Sequence, residues 1–176
     1  YIHFGFPRTA TTTLQVHLFP NHPQINYLGR HPNTQSKLEL INLISNLKND
    51  DFDKRYNELL KKTEELYLNP NKINIISSEF IADNAIFYPN DFARTIPSSI
   101  SRLESLFSKI NVEIKYFVMI RNQAEIIPSL YVSTRYISFD GIITAKELVG
   151  YLENKKSNNP LIKRFLNGFN YWELYN

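Results

Sequence analysis

The stretch that most constrains the fold is the first: Tyr1-Ile2-His3-Phe4-Gly5-Phe6-Pro7-Arg8-Thr9-Ala10-Thr11-Thr12-Thr13-Leu14-Gln15. An apolar run ends in a glycine, a hydroxyl-rich turn with one fixed cation follows, and Leu14, Val16 and Leu18 open a helical pattern. In order, this reads as strand, anion loop, helix. Backbone amides at a helix start, threonine hydroxyls and the Arg8 guanidinium then converge on one point, where an anion is held.

The rest of the chain repeats the alternation. The first strand is expected over 1–4, the loop over 5–11 and a helix from Thr12 to Phe19, ended by Pro20 and Pro23. A short extended piece is expected over 24–28, and Thr34 or Ser36 is expected to cap the next helix. Leu38, Leu40, Ile41, Leu43, Ile44 and Leu47 recur at helical spacing, Asp50-Asp51 interrupts, and Phe52, Tyr56, Leu59, Leu60, Leu66 and Tyr67 suit a second helix with a charged, solvated outer face. The β-branched run 73–79 reads as a buried strand ending in Ser77-Ser78-Glu79. Pro89 and Pro97 bracket a loop, and Ser98 or Ser99 is expected to cap a helix to Ser108. A third strand is expected over 112–120, ending at Arg121-Asn122. Helices are expected over 123–136 (irregular at Pro128), over 144–154 and from Phe169, with a polar loop at 155–160. This order argues for an α/β domain with a parallel sheet. Residues 1–176 read as one domain that is cut at both ends, since the chain opens inside a strand and stops inside a helical pattern.

Composition narrows the partners. Of 176 residues, 43% are hydrophobic and 14% aromatic, which is globular and not disordered. A net charge of +3 with no Lys/Arg cluster fits a small anionic ligand in one pocket and argues against nucleic acid. The chain has no cysteine, which excludes disulfides and thiolate metal sites and is compatible with a reducing compartment. No apolar run reaches the roughly 18 residues of a membrane span. A cytoplasmic, bacterial location is the expectation, with a Golgi-lumenal or anchored form left open.

In open α/β sheets, ligands sit beyond the carboxyl ends of the strands. Three strand ends carry polar groups here: Arg8 to Thr13, Ser77-Ser78-Glu79, and Arg121-Asn122 with Ser129 beyond. If the strands are parallel neighbours, these sets line one crevice. A nucleotide-hydrolase loop needs G-x-x-x-x-G-K-[ST]. Gly5 fits its first glycine, but Ala10 replaces the second, Thr11 stands at the lysine position, and the cation is three positions early, at Arg8. The dinucleotide fingerprint G-x-G-x-x-G is absent as well.

The segment from Gly5 to Gln15 resembles the 5′-phosphosulfate loop of sulfotransferases, usually G-x-P-K-[ST]-G-[ST]-[ST]-x-L. Phe117-Val118-Met119-Ile120-Arg121-Asn122, followed by Ser129 and Tyr131, resembles the same family's 3′-phosphate motif, in which a strand ends in Arg-[ND]-P and a serine follows eight positions after the arginine. The resemblance runs from the first strand to about Tyr136. It implies a three-layer, P-loop NTPase-like parallel sheet flanked by helices, with 3′-phosphoadenosine 5′-phosphosulfate as donor and no metal. It implies that Pro7, Arg8, Thr9, Ala10, Thr11 and Thr12 form the cradle for the 5′-phosphosulfate and that Arg121 and Ser129 hold the 3′-phosphate. A guanidinium and a hydroxyl suit a phosphomonoester.

Three departures stand out. Arg8 takes the place of the common lysine; tyrosylprotein and some carbohydrate sulfotransferases are similar in having arginine there. Arginine can stabilise a leaving oxygen but does not give up a proton. Ala10 replaces a glycine, which costs roughly 1 kcal/mol where φ is positive. Gln123 replaces the proline after Arg121-Asn122.

Transfer to a hydroxyl needs a base near the acceptor. Glu79, after a buried strand, is the leading candidate, its rival role being a structural carboxylate that caps a helix or pairs with an arginine. His3 reads as core, His17 and His22 as helix and turn residues, and His31 as a loop residue; no pair has metal-ligand spacing. Tyr131, Arg135 and Tyr136 are candidates for the acceptor side. The expected acceptor is a hydroxyl-bearing molecule, a glycan foremost. A P-loop kinase or other phosphotransferase, and a non-catalytic nucleotide-binding relative, are the alternatives.

Overall fold

The computed structural model describes residues 1–6, 8–29, 35–82, 95–122, 125 and 129. Among the described residues the following strands and longer helical segments run in order. They are β1 (Ile2–Gly5), α1 (Thr11–Thr13, continued by a π turn over Leu14–Leu18 and a 3-10 turn over Phe19–Asn21), β2 (Ile25–Tyr27), α2 (Gln35–Asn46), α3 (Asn49–Glu64), β3 (Ile73–Ser77), α4 (Ile96–Lys109) and β4 (Tyr116–Met119).

The strands form one four-stranded sheet in the order β2-β3-β1-β4. Every pairing is parallel, with Ile2 opposite Ile76 on one side and opposite Tyr116 on the other. The chain is therefore an α/β domain in which helical segments connect parallel strands. β1 lies inside the sheet and is buried along its whole length, as an interior parallel strand must be. Ile2 and Phe4 join Ile41 and Ile44 of α2, Leu59 of α3, and Leu103 and Leu106 of α4 in the main apolar core. His3 alternates to the opposite face. There it stacks on Phe117 at 4.5 Å and meets the edge of Phe19, from the end of α1, at 5.3 Å.

Several expectations change in detail. The helical pattern that opens at Leu14, Val16 and Leu18 buries Thr11, Gln15 and Phe19 and leaves Val16 and Leu18 exposed. Residues four apart share a helix face, whereas residues two apart do not. Pro20 does not end the helical run but sits inside the 3-10 turn, where α-type bonding has already stopped. The break between α2 and α3 falls at Leu47-Lys48, and Asp50 and Asp51 lie in the first turn of α3, where a negative charge suits the helix dipole.

The cap of α4 is Thr95, not Ser98 or Ser99; its side chain accepts from the Ser98 amide at 3.2 Å. Pro97 is therefore part of the helix, in the first turn where its missing N–H costs nothing. β4 starts at Tyr116 and not Val112, because 110–112 close the helix: Asn111 adopts φ 56° and the Val112 amide bonds Phe107 O at 3.1 Å. The outer face of α3 is charged and exposed as expected, with Arg55–Glu58 at 2.8 Å and Lys62–Glu58 at 3.6 Å. Glu125 and Ser129 are helical, as expected for 123–136; the rest of the helices expected beyond residue 122, the loops at 155–160 and around Pro89, and Thr34 lie outside the described residues, and Ser36 lies inside α2 and does not cap it. Among the described residues no helix is long and apolar enough to cross a membrane.

Candidate functional site

The loop after β1 is shaped by close approach. A Cβ on Gly5 would meet Thr11 Cγ2 and would lie 2.8 Å from Met119 Cβ and from Thr9 Oγ1, so only glycine lets the loop fold back over the strand. Arg8 and Ala10 both take left-handed conformations, with φ of 67° and 63°. Positive φ at Ala10 is the geometry for which the resembled loop uses a glycine; the same feature at Arg8 left no signal in the sequence. Thr9 is buried and its hydroxyl donates to Phe6 O at 2.5 Å, which tightens the turn. The Thr13 amide then bonds Ala10 O at 3.1 Å, and α1 begins. Pro7 lies outside the described residues.

The two arginines meet. Arg8 Nε donates to Ser129 Oγ at 3.1 Å, and Arg121 Nη1 reaches Arg8 O at 3.4 Å. Residues 121 long positions apart in sequence are thus joined because β1 and β4 are parallel neighbours whose carboxyl ends coincide. Arg121 Nε also donates to Glu125 Oε2 at 3.0 Å, an exposed pair. Glu125 was missed by motif reading, although its i,i+4 spacing from Arg121 is the kind that pairs on a helix. Ser129 therefore contacts Arg8, while Arg121 contacts the loop backbone and Glu125.

Glu79 stands on the other side of the loop. The Thr11 hydroxyl donates to Glu79 Oε1, and the Thr12 hydroxyl approaches the same oxygen at 3.4 Å. The connection from β1 leads to β2 at one side, and that from β3 leads to β4 at the other. Between β1 and β3 the winding thus reverses, which is where an open sheet leaves a crevice. Glu79 and the threonines lie at that reversal, and the Ser78 amide, bonded to His3 O at 3.0 Å, holds the end of β3 in line with β1.

His3 is fully buried, as its core assignment implies. Its Nδ1 lies 2.6 Å from Ser77 Oγ, and burial pushes its pKa down to about 4, so the ring is neutral near pH 7. His17 and His22 are placed at the end of the π turn and after the 3-10 turn. His31, Tyr131, Arg135 and Tyr136 lie outside the described residues. No three His, Asp or Glu side chains form a metal-binding group among the described residues. A cleft of about 330 Å³ opens at the opposite, amino end of the strands, lined by Ile2, Leu28, Asn74, Ile76 and Phe107 among others; none of the expected site residues borders it.

Two guanidiniums, the hydroxyls of Thr12 and Ser129, and one carboxylate thus gather around the carboxyl ends of β3, β1 and β4. The cations suit an anion with more than one charged oxygen, and the carboxylate suits a group that must lose a proton. Comparison of the chain with protein-family models, with curated proteins and with solved structures finds no match.

Proposed function

We propose that this chain is a sulfotransferase that moves a sulfuryl group from 3′-phosphoadenosine 5′-phosphosulfate to a hydroxyl acceptor, with a carbohydrate as the acceptor class. The observation that carries the reading is the joining of Arg8, Ser129 and Arg121 at the ends of adjacent parallel strands. Those residues come from the two segments that resemble the family's phosphate motifs. The three-layer, P-loop-like form of the fold belongs to the same proposal. Its support is a loop placed after an interior strand, with the main core on one face of β1 and the His3–Phe19 contact on the other.

In this reading the loop amides, Thr11, Thr12 and Arg8 face the 5′-phosphosulfate, and Arg121 with Ser129 faces the 3′-phosphate. Glu79 takes the proton from the acceptor hydroxyl as its oxygen bonds to sulfur. The bond between sulfur and the bridging phosphate oxygen breaks, and 3′-phosphoadenosine 5′-phosphate leaves with its new charge stabilised by Arg8. Arginine serves that electrostatic role without supplying a proton.

The experiment is a transfer assay with labelled donor and a panel of glycans, run without added metal. Glu79→Gln is expected to keep nucleotide binding and to lose at least about a hundredfold in turnover, the scale of a lost general base. Normal turnover in Glu79→Gln removes it as the base. Magnesium-dependent ATP turnover without sulfuryl transfer would favour the phosphotransferase reading.

A further inference from the structure

We propose that Gln15 and Ser77, backed by His3, form a buried positioning rung that sets the Glu79 carboxylate against the hydroxyls of the loop. Gln15 Nε2 donates to Ser77 Oγ at 3.0 Å, and His3 Nδ1 shares the same oxygen at 2.6 Å. His3 and Ser77 are fully buried and Gln15 is 5% exposed, so water does not compete for these bonds. A hydroxyl fixed by two partners cannot rotate freely, and the end of β3 is tied through it both to β1 and to α1.

The geometry links this rung to the site. Thr11 and Gln15 are four residues apart, and both are buried on the same side of α1 and its π turn. Ser77 is the last residue of β3, and Glu79 follows two residues later in the turn where the chain leaves the strand. Two hydrogen bonds therefore join the same two segments: Gln15 to Ser77 inside, and Thr11 to Glu79 at the end of the sheet. The inner rung fixes the height of β3 against α1, and the outer rung inherits it. Neither Gln15 nor Ser77 reaches the reacting atoms in the proposed chemistry; both act through Glu79. The role of Glu79 as base rests on the sulfotransferase reading, whereas the rung itself does not.

The test uses Ser77→Ala, which removes the shared hydroxyl, and Gln15→Met, which keeps the length of the side chain and its fill of the buried site. Two readouts are taken on folded protein. One is the chemical shift of the Glu79 carboxyl carbon at pH 7 without ligand. The other is turnover set beside the dissociation constant for 3′-phosphoadenosine 5′-phosphate. The rung predicts a moved carboxyl signal in both variants and a fall in kcat of about ten- to a hundredfold, the usual result of a small misplacement. The dissociation constant should stay within about threefold, because the cationic side of the site is untouched. Ser77→Thr, which keeps the hydroxyl, should restore the carboxyl signal and most of kcat. An unmoved carboxyl signal overturns the proposal, as does a loss shared equally between binding and turnover, which marks general loosening. A wild-type protein that transfers no sulfuryl group removes the sulfotransferase reading, and the carboxyl signal alone then decides the rung.

Discussion

Ala10 holds φ at 63°, a conformation in which a Cβ crowds the following carbonyl. The turn needs it because Thr13 and Leu14 both return their amides to Ala10 O, at 3.1 and 3.4 Å. Ala10→Gly relieves that crowding, and part of the gain is lost to the freer unfolded chain. The expected net effect is a stabilisation of about 0.5 kcal/mol, read from the urea midpoint at constant slope. At this scale the sequence was informative wherever a residue type has one physical use. Gly5 has no substitute where a Cβ would sit 2.8 Å from Met119 Cβ, whereas Arg121 stands exposed after a half-buried strand and pairs with Glu125. Side-chain pairing was not legible in the same way. That Arg8 turns to Ser129, and that Thr9 spends its hydroxyl on Phe6 O, depends on backbone angles no motif records.

Among the elements, α1 teaches most. Its apolar residues do not mark its buried face: Gln15 is buried and hydrogen-bonded to Ser77, while Val16 and Leu18 are exposed. Burial of a polar side chain with a partner leaves no hydrophobic period to read. The strands were legible to within a few residues, since β-branched runs have few alternatives, but β4 lost its first residues to the closing turn of α4. A second buried polar group was not foreseen at all. Arg102 of α4 donates to Ile44 O at 2.9 Å and Leu47 O at 2.8 Å, closing the carboxyl end of α2, and to Asn49 Oδ1 at 2.6 Å at the start of α3. It also lies over the Phe52 ring at 5.3 Å. One side chain therefore joins three helices. Arg102→Leu leaves those carbonyls without their donor and is expected to cost roughly 2 kcal/mol, read as a lowered urea midpoint. An unchanged midpoint would mean that the two helix ends are held by other contacts.

For the whole molecule, sheet order does the assembling. Parallel pairing of β1 with both β3 and β4 brings three polar strand ends to one edge, as alternation of strands and helices led one to expect. The order itself, with the first strand inside, was not legible, because local pattern does not say which strands become neighbours. The same sheet buries His3, whose pKa in the fold is about 4 against an ordinary value near 6.5. The sign follows from linkage. Above the ordinary value both states are neutral and no stability is lost. Between pH 6.5 and 4 the unfolded chain takes the proton and the folded one does not, so stability falls as pH falls through that window. A loss on the order of 2 kcal/mol is expected, and His3→Gln should flatten this part of the pH profile. A wild-type profile with no slope there would place the ring in contact with water.

The proposed sulfotransferase activity requires a clamp for two phosphates, with the β1 loop on one and Arg121 with Ser129 on the other. Calorimetric titration with 3′-phosphoadenosine 5′-phosphate, set beside adenosine 5′-monophosphate, tests it most directly. The bisphosphate should bind at least about tenfold more tightly than the monophosphate, a difference of about 1.4 kcal/mol. Arg121→Ala should abolish that preference. Equal binding of the two nucleotides by the wild type, or undiminished bisphosphate binding by Arg121→Ala, would contradict the clamp.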